Sequence, residues 1–190
     1  MGWDESQNLL AIVQLRRDSA VHDGLRCPGP RLPATLAKSA LLLMAAALRL
    51  TLLRRYPVSA DIVYSAWTMP HLLTRWWAGE GGRVPMAQLN ARIGGNFLID
   101  SVRANGDAAE EWGVFSGATT NELLEFSWCC DDPAQQRVVV QLLPLGDSET
   151  ELSLVHFGFP DDSACATQKA RWETALDALG KLLSGPLPQI

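Results

Sequence analysis

The stretch Pro70-His71-Leu72-Leu73-Thr74-Arg75-Trp76-Trp77, followed by Ala91-Arg92-Ile93-Gly94-Gly95-Asn96-Phe97, decides the fold. Two adjacent tryptophans are costly to leave in water, and each buries about 150–250 Å² when covered. Pro70 suits the first turn of a short helix, where its missing N–H costs nothing. A glycine pair inside a strand-like run marks a bulge or a sharp bend. A short helix that delivers two indoles, then a strand, then a glycine pair opening the next strand, reads as a wall and its lid. The architecture this implies is a small cavity-forming domain.

Upstream of that stretch, Leu48, Leu50 and Leu52 alternate with Arg49 and Thr51, the period of a half-buried strand. After Pro57, Ser59 is placed to cap a helix beginning at Ala60, with Ile62, Val63, Ala66 and Trp67 on its apolar side. Downstream, the sequence predicts strands over Val84 to Asn90, Asn96 to Val102, Glu111 to Ala118, Leu123 to Trp128, Arg137 to Leu143 and Thr150 to Phe157. Asn105-Gly106 supplies a hairpin turn of type I′, which needs positive φ angles. Asp131-Asp132-Pro133 and Gly146-Asp147 supply two more turns. Short returns of this kind force antiparallel neighbours. The last element runs from Ser163 to Leu183. Trp172, Ala175, Leu176, Leu179, Leu182 and Leu183 recur there at helical spacing, and Gly185-Pro186 ends it. The fold class is therefore α+β: a curved antiparallel sheet of six or seven strands around a long C-terminal helix, with two short helices after the first strand.

Residues 1–43 read differently. Cys27-Pro28-Gly29-Pro30-Arg31-Leu32-Pro33 blocks helix and strand alike, and no periodic face is present to dock the segment. The reading divides the chain into a poorly ordered extension over 1–43 and a domain over 44–185, with Met44 as an alternative start of translation.

The bulk numbers exclude several classes. The chain has 190 residues, 47% of them apolar, and a net charge of −5 with no long run of either sign. That is enough material for one core, and it lacks the basic stripe of a nucleic-acid binder. No stretch reaches the ~18 apolar residues of a membrane span. The four cysteines, Cys27, Cys129, Cys130 and Cys165, form no C-x-x-C pair, so they read as reduced thiols of a cytoplasmic protein, not as a zinc site. Neither a Gly-x-Ser-x-Gly elbow nor a Gly-x-Gly-x-x-Gly cradle is found. No cofactor, metal or catalytic residue is expected on these grounds.

A set of short motifs in a fixed order adds a resemblance. They are Tyr56-Pro57 through Ala66-Trp67-Thr68, Arg75-Trp76-Trp77, Arg92-Ile93-Gly94-Gly95, Asn105-Gly106, Trp112-Gly113, Phe126-Ser127-Trp128, Thr150 through Phe159, and Trp172. Over about Leu48 to Leu183 the chain resembles the activator of heat shock protein 90 ATPase homologue family, of the START-like or SRPBCC superfamily. The resemblance implies a helix-grip fold with a deep hydrophobic cavity under the long helix. It implies no single function. Eukaryotic namesakes assist the chaperone, many stand-alone bacterial-type members look like small-molecule binders, and some superfamily relatives are cyclases or hydrolases. The sequence shows no counterpart of the separate N-terminal domain with which eukaryotic co-chaperones grip their partner. The expected partner is therefore a small apolar ligand. A chaperone ATPase is the alternative partner, and an enzyme using the cavity is the third reading.

The candidate cavity residues are Trp76, Trp77, Arg92, Phe97, Trp112, Phe126, Trp128, His156 and Trp172. His156 is in phase with Leu152 and Leu154, so all three face one side of the sheet. It serves either as a ligand or acid–base group or as an ordinary histidine satisfied by a neighbour. Trp128 is in phase with Leu124 and Phe126 and points inward. Of Trp76 and Trp77, one faces away from the other at the helix end and one lines the cavity mouth. Converging aromatics suit an apolar, planar ligand, and equally an ordinary core. Arg92 beside the glycine bend either enters the cavity to meet a carboxylate or phosphate, or lies outside against Asp100 or Glu111. Glu110-Glu111 and Asp161-Asp162 read as solvated turn residues.

Overall fold

A computed structural model of the chain describes residues 48–129 and 136–186. They belong to the unit Ala40–Ile190; residues 1–39 lie outside the described residues. So do the expected extension over 1–43, the start at Met44 and the turn at Asp131-Asp132-Pro133.

Seven strands form one antiparallel sheet: β1 (Leu48–Tyr56), β2 (Arg83–Leu89), β3 (Asn96–Val102), β4 (Ala108–Thr119), β5 (Leu123–Ser127), β6 (Arg137–Pro144) and β7 (Thr150–Phe159). Their order across the sheet is β1-β7-β6-β5-β4-β3-β2. Strands β2 to β7 are a meander, and β1 closes it by pairing with the last strand, Leu50 opposite His156 and Leu52 opposite Leu154. Helices α1 (Ala60–Thr68) and α2 (Pro70–Leu73) follow β1, and α3 (Asp162–Ser184) follows β7. This is the expected α+β helix-grip architecture.

Period-two alternation sets the inner face. Val138, Val140 and Leu142 of β6 and Leu152, Leu154 and His156 of β7 are buried. Against them α3 lays Trp172, Ala175, Leu176, Leu179 and Leu183; Leu182 is half-buried at the stripe's edge. Two side chains tie the first strand and its exit loop into this core. The Tyr56 hydroxyl donates to the Leu176 carbonyl of α3 (3.1 Å), and the Thr150 hydroxyl donates to the Val58 carbonyl (2.8 Å).

Local chemistry departs from the sequence reading in three places. Ser59 sits at the N-cap of α1, but only its carbonyl works there, taking N–H groups from Ile62 and Val63; its hydroxyl makes no capping bond. The β3–β4 turn is not type I′: Gly106 alone has a positive φ (+89°), while Asn105 uses its side-chain oxygen to accept the Asp107 N–H (3.0 Å). The Asx bond stabilises the turn without a left-handed asparagine. Third, α3 begins at Asp162, one residue early, because Asp161 is its cap and accepts the Ala164 N–H (2.8 Å).

Candidate functional site

Under α3 the expected deep cavity is filled. Trp67, Trp76, Trp77, Trp128 and Trp172 converge from α1, the turn after α2, the end of β5 and the middle of α3, with neighbouring ring centroids 4.8–6.0 Å apart. Tilted and edge-on arrangements dominate, the geometry aromatic quadrupoles prefer. Trp76 and Trp77 do not face away from each other: the turn after α2 brings both rings into the cluster, 5.4 Å apart, and Trp76 donates its N–H to the Ala66 carbonyl (2.9 Å). Phe97 packs against Phe115 and Phe126 beside the indoles. Between Trp67, Trp77 and these phenylalanines only about 10 Å³ remains, barely one water.

Open space lies instead at the end of the grip. A cleft of about 550 Å³ runs between the N-terminal half of α3 and the β3–β4 hairpin, with Trp77, Trp128 and Trp172 along its floor. A second cleft, of about 440 Å³, adjoins it below the start of α3 and is lined by His156, Phe159 and Asp161, among others. Trp128, Thr167, Gln168 and Arg171 border both. Trp77 is thus the member of the pair that reaches the mouth, while Trp76, 1% exposed, is core.

Glu111 is the polar centre of the larger cleft. It is 4% exposed, not a solvated turn residue. Counting back by twos from inward-facing Phe115 through Gly113 reaches Glu111, so strand phase carried the signal. Its carboxylate accepts from Ser101 Oγ (2.8 Å), Arg103 Nη2 (2.9 Å) and, more distantly, Trp77 Nε1 (3.4 Å). Both oxygens are occupied, as a buried carboxylate requires. The other terminal nitrogen of Arg103, Nη1, is buried without a partner among the described residues.

His156 is fully buried at the floor of the smaller cleft, between Trp128 and Phe159. Its Nδ1 accepts the Trp172 N–H (3.2 Å). An indole nitrogen can only donate, so the neutral ring carries its proton on Nε2. Burial pushes its pKa down to about 3, which keeps it neutral near pH 7. Nε2 is buried and has no hydrogen-bond partner among the described residues.

Two of the predicted site residues lie elsewhere. Arg92 is exposed at the β2–β3 turn. That turn is tight: the Arg92 carbonyl takes the Gly95 N–H (2.7 Å), and Gly94 and Gly95 bond to the Phe115 backbone (2.8 Å each). A Cβ on Gly95 would sit 2.0 Å from the Asn90 carbonyl oxygen, so the glycine pair serves the turn and leaves Arg92 outside. Trp112 alternates with buried Glu111 and Gly113, and so lies half-buried on the opposite face of the sheet. The remaining seven, Trp76, Trp77, Phe97, Phe126, Trp128, His156 and Trp172, come together. Trp67 belongs with them, although the sequence reading gave it only to the apolar side of α1.

Residues 57–184 match the family model described as "Activator of Hsp90 ATPase homolog 1-like protein". The chain belongs to that family. No curated protein matches it, and similarity to solved structures is remote in sequence. A Nitrosomonas europaea protein is 20% identical over 72% of this chain and 94% of its own, with a TM-score of 0.62. CalU16 of Micromonospora echinospora is 26% identical over 73% of this chain and 77% of its own, at 0.56. An HSP90 activator from Plasmodium falciparum is 20% identical over 73% and 98%, at 0.57. Likeness at 20% identity speaks for the fold alone. Among the described residues no three His, Cys, Asp or Glu side chains gather to hold a metal, and no helix is long and apolar enough to cross a membrane.

Proposed function

We propose that this domain of the Hsp90 ATPase activator-like family binds a small, planar, largely apolar molecule. The site is the cleft between α3 and the β3–β4 hairpin, not the interior beneath α3. One observation carries the reading: three indoles, Trp77, Trp128 and Trp172, line the floor of a cleft of about 550 Å³, a volume in the range of ligand pockets. A flat apolar ligand can stack there, and the Glu111–Arg103 pair at the wall gives it polar orientation. The site residues of this proposal are Trp77, Trp128, Trp172 and His156, with Trp76, Phe97 and Phe126 packed behind them. The setting proposed is the cytoplasm, where the thiols of Cys129 and Cys165 stay reduced.

Native mass spectrometry of the full chain, compared with its denatured mass, tests this. The expected result is a mass excess that disappears on denaturation and is absent from Ala170→Trp. Ala170 is exposed on the cleft wall, so the larger ring fills the cleft without entering the core. A variant that keeps the bound molecule, with unchanged circular dichroism, would place the ligand elsewhere.

The family itself supports a second reading, a module that stimulates a chaperone ATPase. It predicts faster ATP hydrolysis by an Hsp90 partner when the domain is added, and Ala170→Trp would leave that stimulation intact if a different face is used. Catalysis by His156 with Arg92 has little support, since β7 and β3 stand four strand positions apart and Arg92 faces outward.

A further inference from the structure

We infer that the ligand of this cleft carries a neutral hydrogen-bond acceptor, a carbonyl oxygen or its equivalent, which takes the Nε2–H of His156. The inference rests on the planar-ligand reading above and adds the chemical class of one end of the molecule.

His156 leaves one hydrogen bond unmade. His156 is 0% exposed, and its Nδ1 is committed to the Trp172 N–H at 3.2 Å. The proton therefore sits on Nε2, and that N–H has no acceptor among the described residues. A buried donor left without an acceptor costs free energy, so most are satisfied by protein, water or ligand. His156 lines the cleft of about 440 Å³, and with Nδ1 turned to Trp172 the ring's remaining polar atom is Nε2. The chain fixes this donor in one tautomer and one orientation. Protonation on Nδ1 would set N–H against N–H with Trp172.

The surroundings select a neutral acceptor. Among the described residues two charged side chains line the same cleft, Asp161 and Arg171, and they are of opposite sign. Asp161 is the cap of α3, its carboxylate holding the Ala164 N–H, so the helix end already has its anion. The two charges offset one another and offer a ligand carboxylate no net attraction, while a carbonyl oxygen needs only the neutral imidazole N–H. Trp128 borders both clefts. A flat molecule stacked along Trp128 and Trp172 can therefore lay its polar end toward His156. The long side chains on the wall between the clefts, Gln168 and Arg171, can swing aside on the fast timescale of surface rotamers.

Two probes of one shape decide the matter: 9-fluorenone, planar with a carbonyl, and fluorene, the same framework without it. Each is titrated into the full chain with tryptophan fluorescence quenching as the binding signal. The imidazole Nε2–H is followed by proton–nitrogen correlation on histidine-labelled protein. The expected result is at least tenfold tighter binding of fluorenone, with a downfield shift of the His156 Nε2–H resonance on fluorenone alone. Equal affinities with an unmoved resonance would overturn the acceptor inference and leave the planar-ligand reading standing. If neither probe binds, the planar-ligand reading falls, and the inference with it.

Discussion

His156 and Glu111 show how single residues in this fold are governed by their neighbours. With its pKa lowered to about 3 by burial against about 6.5 in the unfolded chain, His156 stays neutral in the native state while the unfolded chain takes up a proton. Unfolding is then coupled to proton uptake, so this contribution is fully present above pH 6.5 and is lost as pH falls from there toward 3. Between pH 7 and 5 the expected loss is about 2 kcal/mol, at about 1.4 kcal/mol per pH unit once below 6.5. Urea unfolding at pH 7, 6 and 5 measures it, before most carboxylates begin to titrate; a flat profile would contradict the buried neutral ring. Glu111 makes the converse case. Truncating it to alanine leaves Arg103, Ser101 Oγ and the Trp77 N–H without their acceptor. Glu111→Ala should cost about 1–3 kcal/mol, and Glu111→Gln less, since a side-chain oxygen remains. Thermal unfolding of the two variants beside the parent chain checks the order.

Among the elements, strands and the long helix were legible because burial imposes a period. The alternation in β1, β6 and β7 and the stripe on α3 follow from the need to put leucines, valines and Trp172 on one side. Turns and pairings were less legible. The Asn105 turn depends on which of two local bonds wins, and Arg92 lies in a turn so tight that a Cβ on Gly95 would stand 2.0 Å from the Asn90 carbonyl oxygen. No periodic signal reports either. Nor did the sequence reveal that five indoles would fill the space beneath α3, since that depends on side chains from four separate elements meeting. Gly113 lies close against β5: a Cβ there would stand 2.1 Å from the Ser127 carbonyl oxygen and 2.8 Å from Phe97 Cε1. The first of these is backbone and cannot step aside without breaking the sheet. Gly113→Ala should therefore lose about 3 kcal/mol or more, the upper end for overpacking. At Gly106 an added Cβ meets nothing but must take φ +89°. Gly106→Ala should cost only about 1–2 kcal/mol. Urea midpoints compare the two, and a milder effect at Gly113 would mean that β4 and β5 can separate freely.

For the molecule as a whole, the question is how much of the chain the grip needs. The match to the family spans residues 57–184, yet the sheet is not complete from there. Strand β1 precedes that span and is paired with β7 along its length, from Leu48 opposite Phe159 to Tyr56 opposite Thr150. Leu50, Leu52 and Tyr56 of β1 are 3–5% exposed, and Tyr56 bonds to α3. Without β1, the inner face of β7 loses its neighbour, α3 loses part of its floor, and β7 becomes a bare hydrophobic edge of the kind that aggregates. A chain begun at Met44 keeps every one of these contacts; a chain begun at Pro57 keeps none. The first should unfold cooperatively within about 2 °C of the full chain, a shift that corresponds to about 0.6 kcal/mol for a domain of this size. The second should be insoluble or lack a cooperative transition. Thermal melts followed by far-ultraviolet circular dichroism distinguish the cases. A Met44 chain that melts well below the parent would show that residues 1–43 contribute to the stability of the grip, and would overturn the division of the sequence into an extension and an independent domain.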